Sequence, residues 1–223
     1  MTEFSMVRIA FYGGSFDPPH LGHMAIARAL IEQFELDEFV FIPAFHAPHK
    51  RHQQPTAAYD RYAMLCLATQ NEADMSVSRI EIEAPQLPFS YETLGRLTEM
   101  LPRDQIFFVM GSDSWDEITT WKEWETVLTI TDQIVVTRPG YEITTDHVTD
   151  EIRARIVDLR GTTGTARQDR PEGNGNKIYF TDRINLDISA TAIREAVRGG
   201  DPDWDRDLSA EVANYIEKYQ IYT

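Results

Sequence analysis

The stretch Gly13-Gly14-Ser15-Phe16-Asp17-Pro18-Pro19-His20-Leu21-Gly22-His23 restricts the fold of this chain more than any other. It follows the apolar run Val7–Tyr12, which reads as a buried strand. It precedes Met24–Ile31, rich in Ala and Leu with apolar residues at helical spacing. A strand, a glycine turn and a helix together present free backbone N–H groups and a helix N-terminus to an anion. The glycines let backbone approach a ligand closely. Pro18-Pro19 stiffens the turn, and proline is tolerated at a helix start. His20 and His23 share a face if the helix begins here. One histidine alone reads more simply as a loop cap or a core residue. Two imidazoles among several N–H donors, directly after a strand, suit a polyphosphate. The stretch has neither the G-x-G-x-x-G spacing nor the G-K-[ST] ending of the common phosphate loops.

The same strand–helix alternation continues along the chain. Phe39–Pro43, Gln105–Met110, Gln133–Thr137 and the short Lys177–Phe180 read as buried strands. Met75–Glu83 alternates in the manner of a strand near a sheet edge. Ala57–Ala68 and Ser209–Tyr219 read as helices, with Cys66 on the apolar side of the first. Ser90-Tyr91-Glu92-Thr93-Leu94 opens another helix. At least five alternations imply an α/β fold: a Rossmann-like, doubly wound, mostly parallel sheet with helices on both faces. The 223 residues suit a single domain over 1–223, with a small helical part at about 188–223 packing on it. Residues 161–176 lack periodicity and read as a mobile loop.

A net charge of −15 disfavours a broad nucleic-acid face. An acidic chain binds an anion only where cations and N–H donors are concentrated. His20/His23, the His46/His49/Lys50/Arg51/His52 cluster, Arg138 and Arg194 are those places. His46 and His52 read as solvated loop residues. The three loop histidines lack a companion acid or cysteine at ligand spacing, so no metal site is expected. Cys66 is the single cysteine, which points to a reducing, cytoplasmic setting. No apolar run is long enough for a membrane span, and the first residues do not resemble a secretory leader.

Three further segments add chemistry. Gly111-Ser112-Asp113 ends a strand, where glycine admits close approach and Asp113 suits either a ribose hydroxyl or a helix cap. Of Trp115, Trp121 and Trp124, the last reads as core, and Trp121, in a polar setting, as a stacking platform. Ile188-Ser189-Ala190-Thr191-Ala192-Ile193-Arg194 offers hydroxyls and an arginine at a helix start, a second anion site or an ordinary capped helix.

In this order, the motifs resemble the bacterial nicotinate mononucleotide adenylyltransferases, from about residue 7 onward. These enzymes belong to the H-x-G-H nucleotidyltransferase superfamily. Class I tRNA synthetases share the histidines, but their K-M-S-K-S loop is missing here. The resemblance implies transfer of AMP from ATP, with Mg²⁺, to nicotinate mononucleotide by in-line attack. Deamido-NAD and pyrophosphate are the products. It implies that His20, His23 and Arg194 are catalytic. The ATP contacts it implies are Gly13, Gly14, Ser15, Phe16, His20, His23, Lys50, Gly111, Asp113, Ile188, Ser189 and Arg194. For the mononucleotide it implies Ser15, Lys50, Tyr91, Thr93, Trp121 and Arg138. Glu92 departs from the bacterial S-Y-T-x-x-T-L pattern toward the E-T-L of eukaryotic enzymes that also accept the amide. Trp121 and Arg138 follow the bacterial pattern and favour the acid. A phosphopantetheine adenylyltransferase and a nucleotide sensor without turnover are the rival readings. ATP and the mononucleotide are the implied partners, and a homo-oligomer stays open.

Overall fold

The computed structural model describes residues 6–45, 55–84, 86, 88–137, 142–166, 175–184, 186 and 188–223. Its seven strands are β1 (Arg8–Gly14), β2 (Glu38–Pro43), β3 (Met75–Val77), β4 (Gln105–Gly111), β5 (Asp132–Val136), β6 (Ile156–Asp158) and β7 (Ile178–Thr181). They form one sheet in the order β3-β2-β1-β4-β5-β7-β6, and the β1/β4, β4/β5, β5/β7 and β6/β7 pairs are all parallel. The α/β expectation holds. Strand order reverses at β1 and β4, which lie in register from Arg8↔Gln105 to Tyr12↔Val109. The helices are α1 (Leu21–Phe34), α2 (Ala58–Thr69), α3 (Ser90–Met100), α4 (Ser112–Asp116), α5 (Trp124–Ile130), α6 (Asp150–Arg153), α7 (Ala190–Gly199) and α8 (Ala210–Tyr219).

The chain divides into two compact units. One comprises Met1–Tyr12, Arg28–Phe39 and Pro88–Asn185, the other Gly13–Ala27, Val40–Leu87 and Leu186–Thr223. In the first, Ile106–Met110 of β4 and Ile134–Val136 of β5 are buried along their whole length. Both faces of a parallel strand are covered, so such strands are continuously apolar rather than alternating. Trp115 anchors this core. It is fully buried, meets Phe180 edge-on at 5.1 Å, and donates its indole N–H to the Thr144 carbonyl at 2.8 Å. The buried Gln133 amide donates to Val127 and Thr131 oxygens, which closes the turn into β5.

In the second unit, Met64 of α2 packs with Ile193 of α7, with Leu208, and with Val212, Ala213 and Ile216 of α8. Helices α7 and α8 start at Ser189 and Ser209, whose hydroxyls accept from Ala192 and Val212 N–H groups. Helix α7 stops at Gly200, at φ 68°, where only glycine is unstrained.

Several local expectations need correction. β3 ends at Val77. Ser78 Oγ accepts from the Ile80 N–H, Glu83 N–H bonds to the Arg79 carbonyl, and Arg79 pairs with Glu83, so the rest of Met75–Glu83 is a turn. The strand does lie at the sheet edge. Trp115 is the core tryptophan and Trp124 is only half-buried, as is Cys66. Edge strand β6 is too short and too exposed to leave a period in the sequence. Of the loop read over 161–176, residues 161–166 and 175–176 are neither helix nor strand, and 167–174 lie outside the described residues. No described helix is long and apolar enough to cross a membrane.

Trp115→Ala removes the largest side chain of the first unit's core and leaves a cavity. Urea denaturation should show a loss of about 3–5 kcal/mol.

Candidate functional site

The loop after β1 is shaped by its own side chains. A Cβ on Gly14 would lie 2.8 Å from Phe16 Cζ, so this glycine makes room for the Phe16 ring rather than for open backbone. Phe16 sits at φ 48°, in the left-handed region, and is almost fully buried. Its ring meets Phe41 edge-on at 5.5 Å and His23 at 5.0 Å. Phe16 therefore supports a histidine with its side chain.

Two buried arginines hold the loop from below. Arg61 of α2 is 1% exposed. Its Nη1 donates to the Ser15 carbonyl at 2.6 Å, its Nε to Thr56 at 2.8 Å and its Nη2 to Ala44 at 2.6 Å. Arg194 of α7 is 8% exposed; its Nη1 donates to the Asp17 carbonyl at 2.6 Å and its Nη2 to Thr191 Oγ1 at 3.1 Å. Arg194 is thus not the surface arginine of an ordinary helix. It ties the I-S-A-T-A-I-R segment to the histidine loop and keeps its other N–H donors for a further acceptor.

His20 and His23 stack with ring centroids 3.7 Å apart. His20 directly precedes α1, and its carbonyl accepts the His23 N–H at 2.9 Å. Its own backbone N–H donates to His23 Nδ1 at 3.1 Å. Accepting that bond leaves the neutral His23 ring with its proton on Nε2, a donor. His20 Nδ1 is buried without a partner. A Cβ on Gly22 would lie 3.0 Å from that atom and 3.6 Å from Ile188 Cβ, so the glycine between the histidines is a steric requirement of the His20 ring.

Burial pushes the His20 pKa down to about 4, with Asp207 partly opposing. His23 is pushed well below its ordinary value by burial and then by His20. Both rings are neutral at pH 7. They offer N–H donors at the positive end of a helix, where an anion stabilises both the protonated and the hydrogen-bonded form.

The first unit holds the other expected residues. Gly111 is the N-cap of α4, with open space where a Cβ would stand. Asp113 is exposed in the first turn of that helix and does not cap it; its charge adds to the burial that raises Tyr12 to about 12. Trp121 is half-buried after the 3₁₀ turn Ile118–Thr120. Tyr91 stacks on Phe89, with Lys122 Nζ 4.4 Å from the Phe89 ring centre. Thr93 is buried on the inner side of α3. Glu92 accepts from the Phe89 N–H at 2.9 Å and from Tyr91 Oη at 3.1 Å, and these bonds hold its carboxyl below the ordinary range. In the second unit, Ser189 is exposed and Ile188 half-buried. Lys50, Arg138 and the His46, His49 and His52 positions lie outside the described residues. No group of three or more His, Cys, Asp or Glu able to hold a metal occurs among the described residues.

Sequence reasoning missed Arg61 and the role of Asp17. Arg61 had a signal. It precedes Met64 and Leu65 by three and four positions, which places a charge on the apolar stripe of α2, and such a charge requires partners.

Residues 11–196 match the sequence model of the cytidylyltransferase-like family. The chain is 34% identical to a Desulfatibacillum aliphaticivorans protein named "Probable nicotinate-nucleotide adenylyltransferase", over 96% of each. It is 32% identical to a Tropheryma whipplei protein of the same name, over 94% of this chain and 97% of the relative. In fold it is similar to Plasmodium falciparum nicotinic acid mononucleotide adenylyltransferase complexed with NaAD, with a TM-score of 0.73, 18% identity and 97% of each chain covered.

The buried histidines make stability fall in acid. The folded-state pKa of each lies below the unfolded value, and the His20 contribution is complete above about pH 6.5 and is lost as pH drops toward about 4. For His20 alone this amounts to on the order of 2–3 kcal/mol. Urea midpoints across that window should fall in the native chain and fall less steeply in His20→Gln.

Proposed function

This chain belongs to the cytidylyltransferase-like family, and on that footing we propose that it transfers AMP from ATP to nicotinate mononucleotide, releasing pyrophosphate. The observation that supports this best is the join between its two anion motifs. Arg194 of the second bonds to Asp17 in the loop that carries His20 and His23. Cations and N–H donors are then concentrated locally on a chain of net charge −15.

The mononucleotide 5′-phosphate oxygen attacks the ATP α-phosphorus. An O–P bond forms while the bond to the departing pyrophosphate breaks in line. The protein forms no covalent bond, so its contribution is position and charge. His23 donates from Nε2 to a phosphate oxygen, and His20 acts beside it. Arg194 and the Ser189 end of α7 hold the distal phosphates, with Lys50 as a further cation. Gly13, Gly14, Ser15 and Phe16 line the phosphates with backbone, and Gly111, Asp113 and Ile188 serve the nucleoside. Tyr91, Thr93, Trp121 and Arg138 serve the mononucleotide. A Mg²⁺ ion accompanying ATP would be held by the phosphates that His20, His23 and Arg194 face. Its chemistry there would be to offset phosphate charge. We place this synthesis in the cytoplasm.

Glu92 supports the acid as acceptor. An unengaged carboxylate beside the pyridine ring would favour the amide, but this one is taken up in capping α3 and bonding Tyr91.

Pyrophosphate release from ATP and Mg²⁺ is measured with nicotinate or nicotinamide mononucleotide in parallel. The acid should win by about tenfold or more in kcat/KM. A preference for the amide overturns the choice of acceptor. Silence with both, from folded protein that binds ATP, overturns the mononucleotide reading. His23→Ala should lower kcat about a hundredfold, on the scale of one lost transition-state donor, while the protein stays folded by circular dichroism.

A further inference from the structure

Asp17 receives bonds from three separate parts of the chain. Its carbonyl accepts Arg194 Nη1 at 2.6 Å, its Oδ2 the Thr56 backbone N–H at 3.2 Å, and its Oδ1 the Tyr222 hydroxyl at 2.6 Å. The Tyr222 contact joins residues 205 apart in sequence, in a buried setting.

Reaching Asp17 requires an unusual path. Helix α8 ends at Gln220 with φ 52°, and two residues later Tyr222 sits at φ 71°. Non-glycine residues in the left-handed region persist only where their surroundings determine them. Here those surroundings are the cluster of Met64, Ile193, Leu208, Val212, Ala213 and Ile216, which packs the Tyr222 ring. The hydroxyl end leaves this apolar cluster for a carboxylate.

The two prolines after Asp17 transmit its position. Pro18 and Pro19 are buried, and each fixes φ, so little rotation is free between Asp17 and His20. The His20 N–H in turn bonds to His23 Nδ1 and sets that ring's tautomer. We propose that Tyr222 is a positioning residue: by fixing Asp17 it sets the placement of His20 and the donor tautomer of His23. For its effect on catalysis this rests on the adenylyl-transfer reading.

The test is Tyr222→Phe in the full chain, which removes one oxygen and keeps the ring in its cluster. Displaced imidazoles weaken the transition state more than the ground state. Pyrophosphate release should therefore lose about tenfold in kcat, with KM for ATP within about twofold. Nitrogen-15 NMR of the histidine rings, without substrate, should show His23 losing its Nε2–H preference. Tyr215→Phe is the control, since it deletes a comparable hydroxyl-to-carboxylate bond, to Asp60 at 2.9 Å in the same unit. It should leave kcat and the His23 tautomer unchanged. A lower Tm with native kcat and native His23 signals overturns the proposal, as does an equal loss in Tyr215→Phe. If Tyr222→Phe does not fold, Asp17→Asn, which keeps one acceptor oxygen, takes the same readouts. If the native chain releases no pyrophosphate with either mononucleotide, the adenylyl-transfer reading falls, and the His23 tautomer in Tyr222→Phe still decides whether Tyr222 positions the histidines.

Discussion

The geometry around the histidines depends on a buried guanidinium. Arg61 donates to the backbone carbonyls of Ser15, Ala44 and Thr56, which lie on different segments of the second unit, and more weakly to that of Phe45 at 3.4 Å. The first three carbonyls lie in loops, just after β1, just after β2 and just before α2. Unpaired and buried, each would cost on the order of 1–3 kcal/mol. One planar fork satisfies all three and fixes their spacing, which a lysine with its single point of charge could not do. Burial lowers the Arg61 pKa, and the charge of Asp17 opposes that shift. The clamp thus joins the loops that follow β1 and β2 to α2.

On that base the loop is built inward from packing. Gly14 makes room for Phe16, Phe16 backs His23, and Gly22 makes room for His20. The missing side chains of Gly14 and Gly22 therefore accommodate protein rings. Burial then keeps both imidazoles neutral at pH 7, so they are oriented N–H donors and not permanent charges.

Arg194 shows how the two ends of the chain are made to cooperate. Its helix is locally ordinary, capped by Ser189 and stopped by Gly200. Its bond to Asp17 spans 177 positions of sequence. The side chain that the motif singles out is here a structural tie, and a guanidinium has donors enough to take a further acceptor beside it.

The sequence by itself determined the α/β class, the buried strands, the placement of the histidine loop after a strand and the capped start of α7. Each of these is a local matter of apolar period, glycine and proline placement, or side-chain capping within a few residues. The I-S-A-T-A-I-R segment was legible as a motif, and Arg194 as a candidate, for the same reason. Only the tertiary structure decided that Trp115 rather than Trp124 fills the core, that Met75–Glu83 turns after Val77, and that Arg61 is buried. It also decided that Gly14 faces a phenylalanine and that Tyr222 reaches Asp17. These outcomes depend on which surfaces meet across long stretches of chain. A hydrogen bond between residues 205 apart leaves no period or spacing in the sequence, because its two ends are brought together only by the packing of everything between them.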